Sequence, residues 1–579
     1  MHPGRRAIWL AVSIACLLFT ACVPSPYWDT PQAPVDTTPT LAATSSNPTR
    51  AATAQPDPKT PTSTLPPIAG ELRVAVREDI KTLHPFLVTN DAEAFVVSLL
   101  YDTLLESGAD GELLPNLAER WEVTSDGTSL TCWLNPLAQW HDGQSVTAMD
   151  VVFSLELVRR TQMLGWVHVA ALADRVEAVD AREVRFTLLA AQEDGVRRLC
   201  TELIIVPAHL WQGVSDPSAY GNLENPVGSG PFRFVELTPG EQAVVRNTQS
   251  HHASRPSVET VLVKILRDEV RALKALQNNE LDALGWGVTP TLARDVLTDP
   301  QRYPGIHVLD TQGHDTETLL LNLRKAPYGS LAFRQAVSQA IDTAGVIEAV
   351  LMGFGDAVAG GLFAPASAWR NSGLAPVAFD PESARREMDT AGFVDRNGDG
   401  WRENPEGDPL QVPISCRDLA LPLQVAKSIV SNLTAVGISS TVTAVPQDKW
   451  VPTLLQAQFD AALHEIDFAD PAAVLAAFQT ARGVLKDGRI SGLNYGGYAS
   501  PEFDELAAAA QRARDATARR DLLYQLQAVL AADLPQIPLY SPRLLSLFRE
   551  ERFGGWTAQP GLGLLHRRTV LGLRPVARD

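Results

Sequence analysis

One short segment has the spacing of oxygen ligands that a calcium ion needs. Such a loop has oxygen-bearing side chains at alternate positions, a glycine at the sharp turn, a backbone carbonyl ligand and a final glutamate. The matching residues are Asp395, Asn397, Asp399, Gly400, Trp401 and Glu406. A solvated hairpin whose aspartates form turns remains the alternative, because Pro405, Gly407 and Pro409 replace a clear second helix. Calcium would be structural, and no cofactor is required.

A second polar segment contains His464, Glu465 and Asp467. Two carboxylates in a cleft can serve a glycosidase, or they can bind an enclosed ammonium group. A metal site at these three residues is disfavoured, because adjacent strand residues point to opposite faces. For Asp467 alone, capping of the following helix is the alternative to ligand contact.

The chain lacks the short motifs of the common enzyme classes. No G-x-S-x-G, H-E-x-x-H, Walker loop or G-x-G-x-x-G occurs in the sequence. The formal net charge of −18 argues against nucleic acid as a partner. We therefore expect a protein that binds and does not catalyse, with an exported hydrolase as the remote alternative.

The first 22 residues have the features of an export signal. Arg5 and Arg6 precede an apolar run over residues 7–19, which is too short to span a bilayer comfortably. The run ends in Phe19-Thr20-Ala21-Cys22, which is similar to the lipobox of bacterial lipoproteins. We expect acylation of Cys22 and an extracytoplasmic protein anchored to the membrane. An ordinary secretory signal is the alternative.

Residues 23–67 are dominated by Pro, Thr, Ala and Ser, and this composition predicts a disordered tether. The remaining 512 residues, 68–579, exceed what a single hydrophobic core holds, so two or three domains are expected. Cys132, Cys200 and Cys416 allow at most one disulfide, and the sequence does not select the pair.

Short strands alternate with amphipathic helices, and this pattern predicts an α/β fold. Strands are predicted at residues 71–76, 183–188, 258–265, 318–322 and 439–445. Helices are predicted at residues 268–284, 333–349 and 518–532.

Seven segments, in order, resemble the family-five extracellular solute-binding proteins. This family includes the oligopeptide-, dipeptide- and nickel-binding receptors of ABC importers. The segments are KTLHPF at 81–86, LPNLAERWEV at 114–123, WHDGQ at 140–144, TAMDVVFS at 147–154, NPVGSGPF at 225–232, RQAVSQAID at 334–342 and PQIPLY at 535–540. The turn at Asp142-Gly143 and the cap at Thr147 have structural roles.

The resemblance implies a two-lobed, class II periplasmic-binding-protein-like fold with an additional domain. Lobe I would comprise residues 68–91, 201–313 and 539–579, the additional domain residues 92–200, and lobe II residues 314–538. The chain would cross between the lobes near residues 310–318 and 535–540. The lobes would close on the ligand by rotating together.

The resemblance also implies site residues and partners. Asp467 would bind the α-amine of a peptide, although His464 stands where the peptide receptors have tryptophan. Asn494 and Tyr495 would line the cleft, with Glu465 beside them, and Trp286 would form a cleft wall or else a surface turn. The partners would be a peptide or other small solute and an ABC permease, and the receptor would be a monomer. A sensor, adhesin or chaperone of the same fold is the alternative.

Overall fold

The computed structural model describes residues 70–107, 112–161, 163, 166–189, 193–248, 256–467, 471–513 and 515–576. The predicted leader with Cys22 and the predicted tether lie outside these residues. Within the described part of the chain, no helix has the length and apolar character needed to cross a membrane. The thiols of Cys132, Cys200 and Cys416 are free and buried.

The fold is mixed α/β, as predicted. The strands are β1 (Glu71–Val76), β2 (Leu105–Ser107), β3 (Leu113–Pro115), β4 (Ala118–Val123), β5 (Ser129–Leu134), β6 (Ala173–Ala178), β7 (Glu183–Leu188), β8 (Phe232–Thr238), β9 (Gln242–Asn247), β10 (Thr260–Ile265), β11 (Ala283–Leu284), β12 (Ile306–Gln312), β13 (Asp315–Leu321), β14 (Gly355–Ala357), β15 (Gln411–Arg417), β16 (Ser439–Val445), β17 (Ala461–Asp467), β18 (Leu485–Lys486), β19 (Arg489–Ile490), β20 (Gln536–Arg549), β21 (Phe553–Gly554) and β22 (Arg574–Pro575).

Helices alternate with these strands over most of the chain. They are α1 (Asp91–Leu100), α2 (Ala148–Thr161), α3 (Val167–Ala170), α4 (Glu193–Glu202), α5 (Ala208–Trp211), α6 (Glu269–Gln277), α7 (Pro290–Thr298), α8 (Leu331–Ala340), α9 (Thr343–Val350), α10 (Pro381–Thr390), α11 (Ala420–Ala435), α12 (Gln447–Leu455), α13 (Pro471–Phe478), α14 (Pro501–Arg512), α15 (Ala516–Asp533) and α16 (Arg567–Gly572).

Two helix predictions were wrong in extent. The predicted helix 333–349 is two helices, because the Asp342 side chain accepts a hydrogen bond from the Gly345 amide and so starts α9. The predicted helix 268–284 ends at Gln277, since Asn279 has a φ of 60°, and its last two residues form strand β11.

A twelve-stranded sheet runs through the molecule in the order β16-β15-β17-β13-β20-β11-β1-β10-β9-β8, with β12 and β14 also paired to β20. The long strand β20 connects its two halves. Residues 536–540 of β20 pair with β13, and residues 543–549 pair with β12. The chain therefore passes between the halves twice at one level, between β12 and β13 and within β20. We call this level the crossover.

Separate hydrophobic cores lie on the two sides of the crossover. On one side, β1 and β10 share a core with the four-stranded sheet β4-β5-β7-β6, through residues such as Val74, Val263 and Phe186. On the other side, β13 and β17 form a second core with residues such as Leu319 and Leu463. Each half of the sheet therefore has packing of its own.

Candidate binding site at the crossover

The carboxyl ends of strands from both halves of the sheet point towards the crossover. Strands β15 and β17 run parallel, and β17 ends at Asp467 opposite Asp315, the first residue of β13 after the crossing. In the other half, β1 and β11 run parallel towards the same level. Ligands of open α/β sheets bind outside the carboxyl ends of their strands. The crossover is therefore the candidate site.

Four side chains on four adjacent strands lie at one level of this edge. Glu317 on β13 is paired with Tyr540 on β20 and with Glu465 on β17. Directly opposite residues of two strands have side chains on the same face, so the two glutamates are neighbours. Arg417 at the end of β15 donates a hydrogen bond to Glu465 Oε2 and forms an ion pair with it.

Glu317 has an unusual environment. Its exposed fraction is 7%, and among the described residues no hydrogen bond or ion pair involves its carboxyl group. Burial, with a smaller contribution from the Glu465 charge, raises the pKa of Glu317 to about 8, although Arg417 opposes the shift. The Arg417 guanidinium is ion-paired with Glu465 and only partly offsets the cost of ionising Glu317.

His464 and Glu465 do not act together, because they point to opposite faces of β17. The His464 ring packs edge-on against Tyr495, with ring centroids 5.5 Å apart. Burial lowers the pKa of His464 to about 3, so the imidazole is neutral at physiological pH. The backbone of Asp467 belongs to β17, but its side chain lies outside what the structure describes, and its predicted ligand contact stays a prediction.

The Asn494 side chain forms hydrogen bonds within the fold, and its predicted ligand contact stays a prediction. Its exposed fraction is 2%. The side-chain amide donates to the Gln479 and Tyr498 carbonyls at 3.1 and 2.8 Å, and its oxygen accepts from the Gly497 and Tyr498 amides at 3.0 and 2.9 Å. Donors and acceptor are both used within the fold, so this side chain holds the turn. Its neighbour Tyr495 is buried.

Trp286 lies beside the crossover on the side of β1 and β11. It follows β11, and the adjacent Val288 amide donates to the Leu545 carbonyl of β20 at 2.8 Å. The Arg77 guanidinium lies over the indole ring, 4.7 Å from its centroid. The indole Nε1 is buried and has no partner among the described residues. Trp286 therefore lies in the half of the sheet that contains β1 and β11, and its predicted role as a cleft wall stays a prediction.

The predicted calcium loop forms a hairpin in which backbone amides bind the acidic side chains. Asp395 accepts hydrogen bonds from the Gly398 and Gly400 amides at 2.7 and 2.9 Å, and Asp399 accepts from the Trp401 amide at 2.8 Å. Glu406 is exposed. In the described segments, no group of three or more His, Cys, Asp or Glu side chains is arranged to hold a metal. Calcium binding at Asp395, Asn397, Asp399, Trp401 and Glu406 stays a prediction.

The sequence reasoning missed Glu317 and Arg417. A signal for Glu317 existed, because Asp315 and Glu317 continue the alternation of Leu319 and Leu321 on one face of β13. Acidic residues in register with buried leucines indicate a face that leaves the core and enters a site. The sequence contained no comparable signal for Arg417.

The two halves of the sheet and their separate cores are the architecture of a two-lobed protein, with the crossover as its candidate site. Known proteins show the same fold. NikA from Brucella suis in complex with Fe(III)-EDTA has a TM-score of 0.73 at 22% identity, covering 88% of this chain and 100% of that one. AppA from Bacillus subtilis in complex with a nonapeptide has a TM-score of 0.66 at 21% identity, with coverage of 88% and 100%. The predicted periplasmic-binding-protein-like fold is confirmed.

Sequence similarity identifies the family. The profile of the bacterial extracellular solute-binding proteins, family 5, matches residues 112–485. The nickel-binding periplasmic protein of Escherichia coli is 26% identical over 372 residues, which is 63% of this chain and 70% of that protein. The dipeptide-binding protein of Escherichia coli is 22% identical over 495 residues, 81% and 88% of the two chains. The chain belongs to the family-five extracellular solute-binding proteins, and it is an extracytoplasmic binding protein.

Proposed function

We propose that this protein captures a peptide or a similarly small solute between its lobes and delivers it to an ABC permease. The observation that carries the proposal is that strands from both halves of the sheet point their carboxyl ends towards the crossover, where the buried glutamate Glu317 lies. The relatives support it, since they include a nickel-binding and a dipeptide-binding protein.

A thermal-shift screen with small-angle scattering tests this function. The full chain, purified in a mild detergent, is screened against di- to pentapeptides, oligosaccharides and nickel chelates. A ligand at a hundredfold excess over its Kd adds about 2.7 kcal/mol to the free energy of unfolding. We expect one ligand class to raise the melting temperature by several degrees and to reduce the radius of gyration. No change in the melting temperature or the radius of gyration with any ligand class would favour a sensor, adhesin or chaperone role.

We further propose that the receptor is a lipoprotein acylated at Cys22. Two or more acyl chains anchor a protein stably, because each buried methylene contributes about 0.8 kcal/mol. We expect metabolic labelling with an alkyne fatty acid to mark the wild type and Cys16→Ala, the matched control in the leader, but not Cys22→Ala. Labelling that survives in Cys22→Ala would leave only a secretory signal.

Calcium at the Asp395 loop is a separate proposal, supported by the ligand spacing of the sequence. We expect EGTA to lower the melting temperature of the wild type, and added calcium to restore it. The variant Asp395→Asn should not respond to the chelator. An unchanged melting temperature in the wild type would assign the loop to a plain hairpin.

A further inference from the structure

Glu317 at the crossover differs from other buried carboxylates in the described part of the chain. Glu93, which is fully buried, accepts from the Lys81, Thr82 and Thr89 amides at 2.8, 3.2 and 2.7 Å. Asp282 forms ion pairs with Arg73 and Arg552. Buried carboxylates in proteins are normally satisfied in this way. Glu317 has no such partner among the described residues.

A structural role does not account for this arrangement. An unpartnered carboxyl group at an exposed fraction of 7% is destabilising when it ionises. Its neighbour Glu465 is already engaged by Arg417. A fold that needed only packing at this position would be better served by an apolar side chain. A group from outside the chain that carries positive charge would remove the cost.

We propose that a cationic group of the solute, an ammonium or a guanidinium, binds between Glu317 and Glu465, and that this pair determines the specificity of the receptor. The inference rests on the proposed function and names the chemical class of the solute. The position fits, because the pair lies where the face that carries Leu319 and Leu463 leaves the core, two residues from the strand ends at Asp315 and Asp467.

The described titratable groups that interact electrostatically with Glu317 come from four strands. They are Asp315 on its own strand, Glu465 on β17, Arg417 and Cys416 on β15, and Tyr540 on β20. Burial raises the pKa of Tyr540 and of Cys416, so neither is charged at neutral pH. Arg417 is the single cation of the set.

Proton release should accompany binding. With a pKa of about 8, Glu317 is mostly protonated at neutral pH. A bound cation favours the carboxylate, and the proton passes to solvent. The affinity should therefore rise about tenfold per pH unit below pH 8, and should level off above it.

The test compares matched cationic and uncharged probes on the full chain in mild detergent. The cationic probes are lysine- and arginine-containing dipeptides, putrescine and spermidine. The uncharged probes are N-acetylated, C-terminally amidated dipeptides with acetyl-lysine or citrulline, and the acidic probes are N-acetylated glutamate dipeptides, which carry no ammonium group. We expect a cationic probe to raise the melting temperature and the uncharged and acidic probes to leave it unchanged. Calorimetry in buffers of different ionisation enthalpy should show release of close to one proton at pH 6.5.

Variants separate the glutamate pair from the rest of the site. Glu317→Gln keeps the shape of the side chain. We expect it to lower the affinity for the cationic probe at least a hundredfold at pH 8 and to abolish the pH dependence of that affinity. Glu505→Gln, at an exposed position of α14, is the matched control and should bind as the wild type does. Affinity of Glu317→Gln within twofold of wild type would overturn the inference.

The outcomes also separate this inference from the proposed function. Tight binding of an uncharged or acidic probe, with compaction in scattering, would overturn the cation subsite and leave the receptor function intact. If none of the probes, nor the solutes of the wider screen, bind or compact the protein, both the inference and the proposed function fail.

Discussion

At the scale of single residues, Glu317 makes stability depend on pH. Its pKa is raised from 4.5 to about 8, so the folded state binds more protons than the unfolded state over that interval. The free energy of unfolding should therefore fall as pH rises from 4.5 to 8. By linkage, this loss is on the order of 4 kcal/mol.

We expect Glu317→Gln to remove this pH-dependent decrease in the free energy of unfolding. The variant should match the wild type near pH 4 and be more stable at pH 8, because the amide cannot ionise. Urea unfolding at half-unit steps of pH provides the measurement, with Glu505→Gln as the control that keeps the wild-type profile. Parallel profiles for wild type and Glu317→Gln would show that Glu317 titrates normally.

At the scale of elements, two of the diagnostic sequence motifs pack against each other. His141 of the WHDGQ segment accepts a hydrogen bond from the Gly228 amide through Nδ1 at 3.2 Å, and its Nε2 lies 3.0 Å from the Gly230 carbonyl oxygen. The backbone of both glycines lies close to the carboxyl end of α1. A Cβ at Gly228 would lie 1.8 Å from the Leu100 carbonyl oxygen, and one at Gly230 would lie 2.5 Å from that of Leu99. The motif therefore needs glycine for close backbone approach.

We expect Gly228→Ala to destabilise the protein by about 3 kcal/mol or more, because backbone must move to admit the methyl group. Gly221→Ala is the matched control. A Cβ there would meet only the Leu223 side chain at 3.8 Å. The melting temperatures of Gly228→Ala and Gly221→Ala are compared. Equal values would mean that α1 shifts to admit the methyl group at little cost in free energy.

At the scale of the whole molecule, one arginine at the crossover forms ion pairs with two aspartates. Arg543 on β20 contacts Asp310 on β12 at 2.5 Å and Asp356 on β14 at 3.2 Å. Asp310 precedes the crossing and Asp356 follows it, so one guanidinium connects the two sides. The side chains are about a quarter to a third exposed, and such pairs contribute modestly and are screened by salt.

We expect Arg543→Ala to lower the free energy of unfolding by about 1 kcal/mol at low salt and by less at 0.5 M salt. Without the guanidinium, two carboxylates face each other across the crossover. The radius of gyration should therefore increase, or the distribution of interatomic distances should broaden. Arg543→Lys keeps the charge, and its free energy of unfolding should lie between those of the wild type and Arg543→Ala. A scattering profile identical to that of the wild type would exclude a role in lobe geometry.

The sequence by itself determined the fold class and the family. Local rules sufficed for this, because strand alternation predicted residues 71–76 and 439–445 with the bounds of β1 and β16, and Gly143 has the positive φ that its turn requires. The ordered motifs predicted the two-lobed architecture and the crossings. The helix predictions failed where one polar side chain, such as Asp342, ends or starts a helix within an apolar pattern.

Only the tertiary structure decided which polar residues lie together at the candidate site. Glu317 and Glu465 are distant in the chain, and the register of β13 against β17 brings them together. Neighbours in sequence were separated instead, since His464 and Glu465 point to opposite faces and Asn494 is used by its own turn. The physical reason is that burial and strand pairing depend on long-range contacts. Those contacts set the pKa of Glu317 and leave its carboxyl group without a hydrogen-bond partner in the described segments, and local sequence does not encode them.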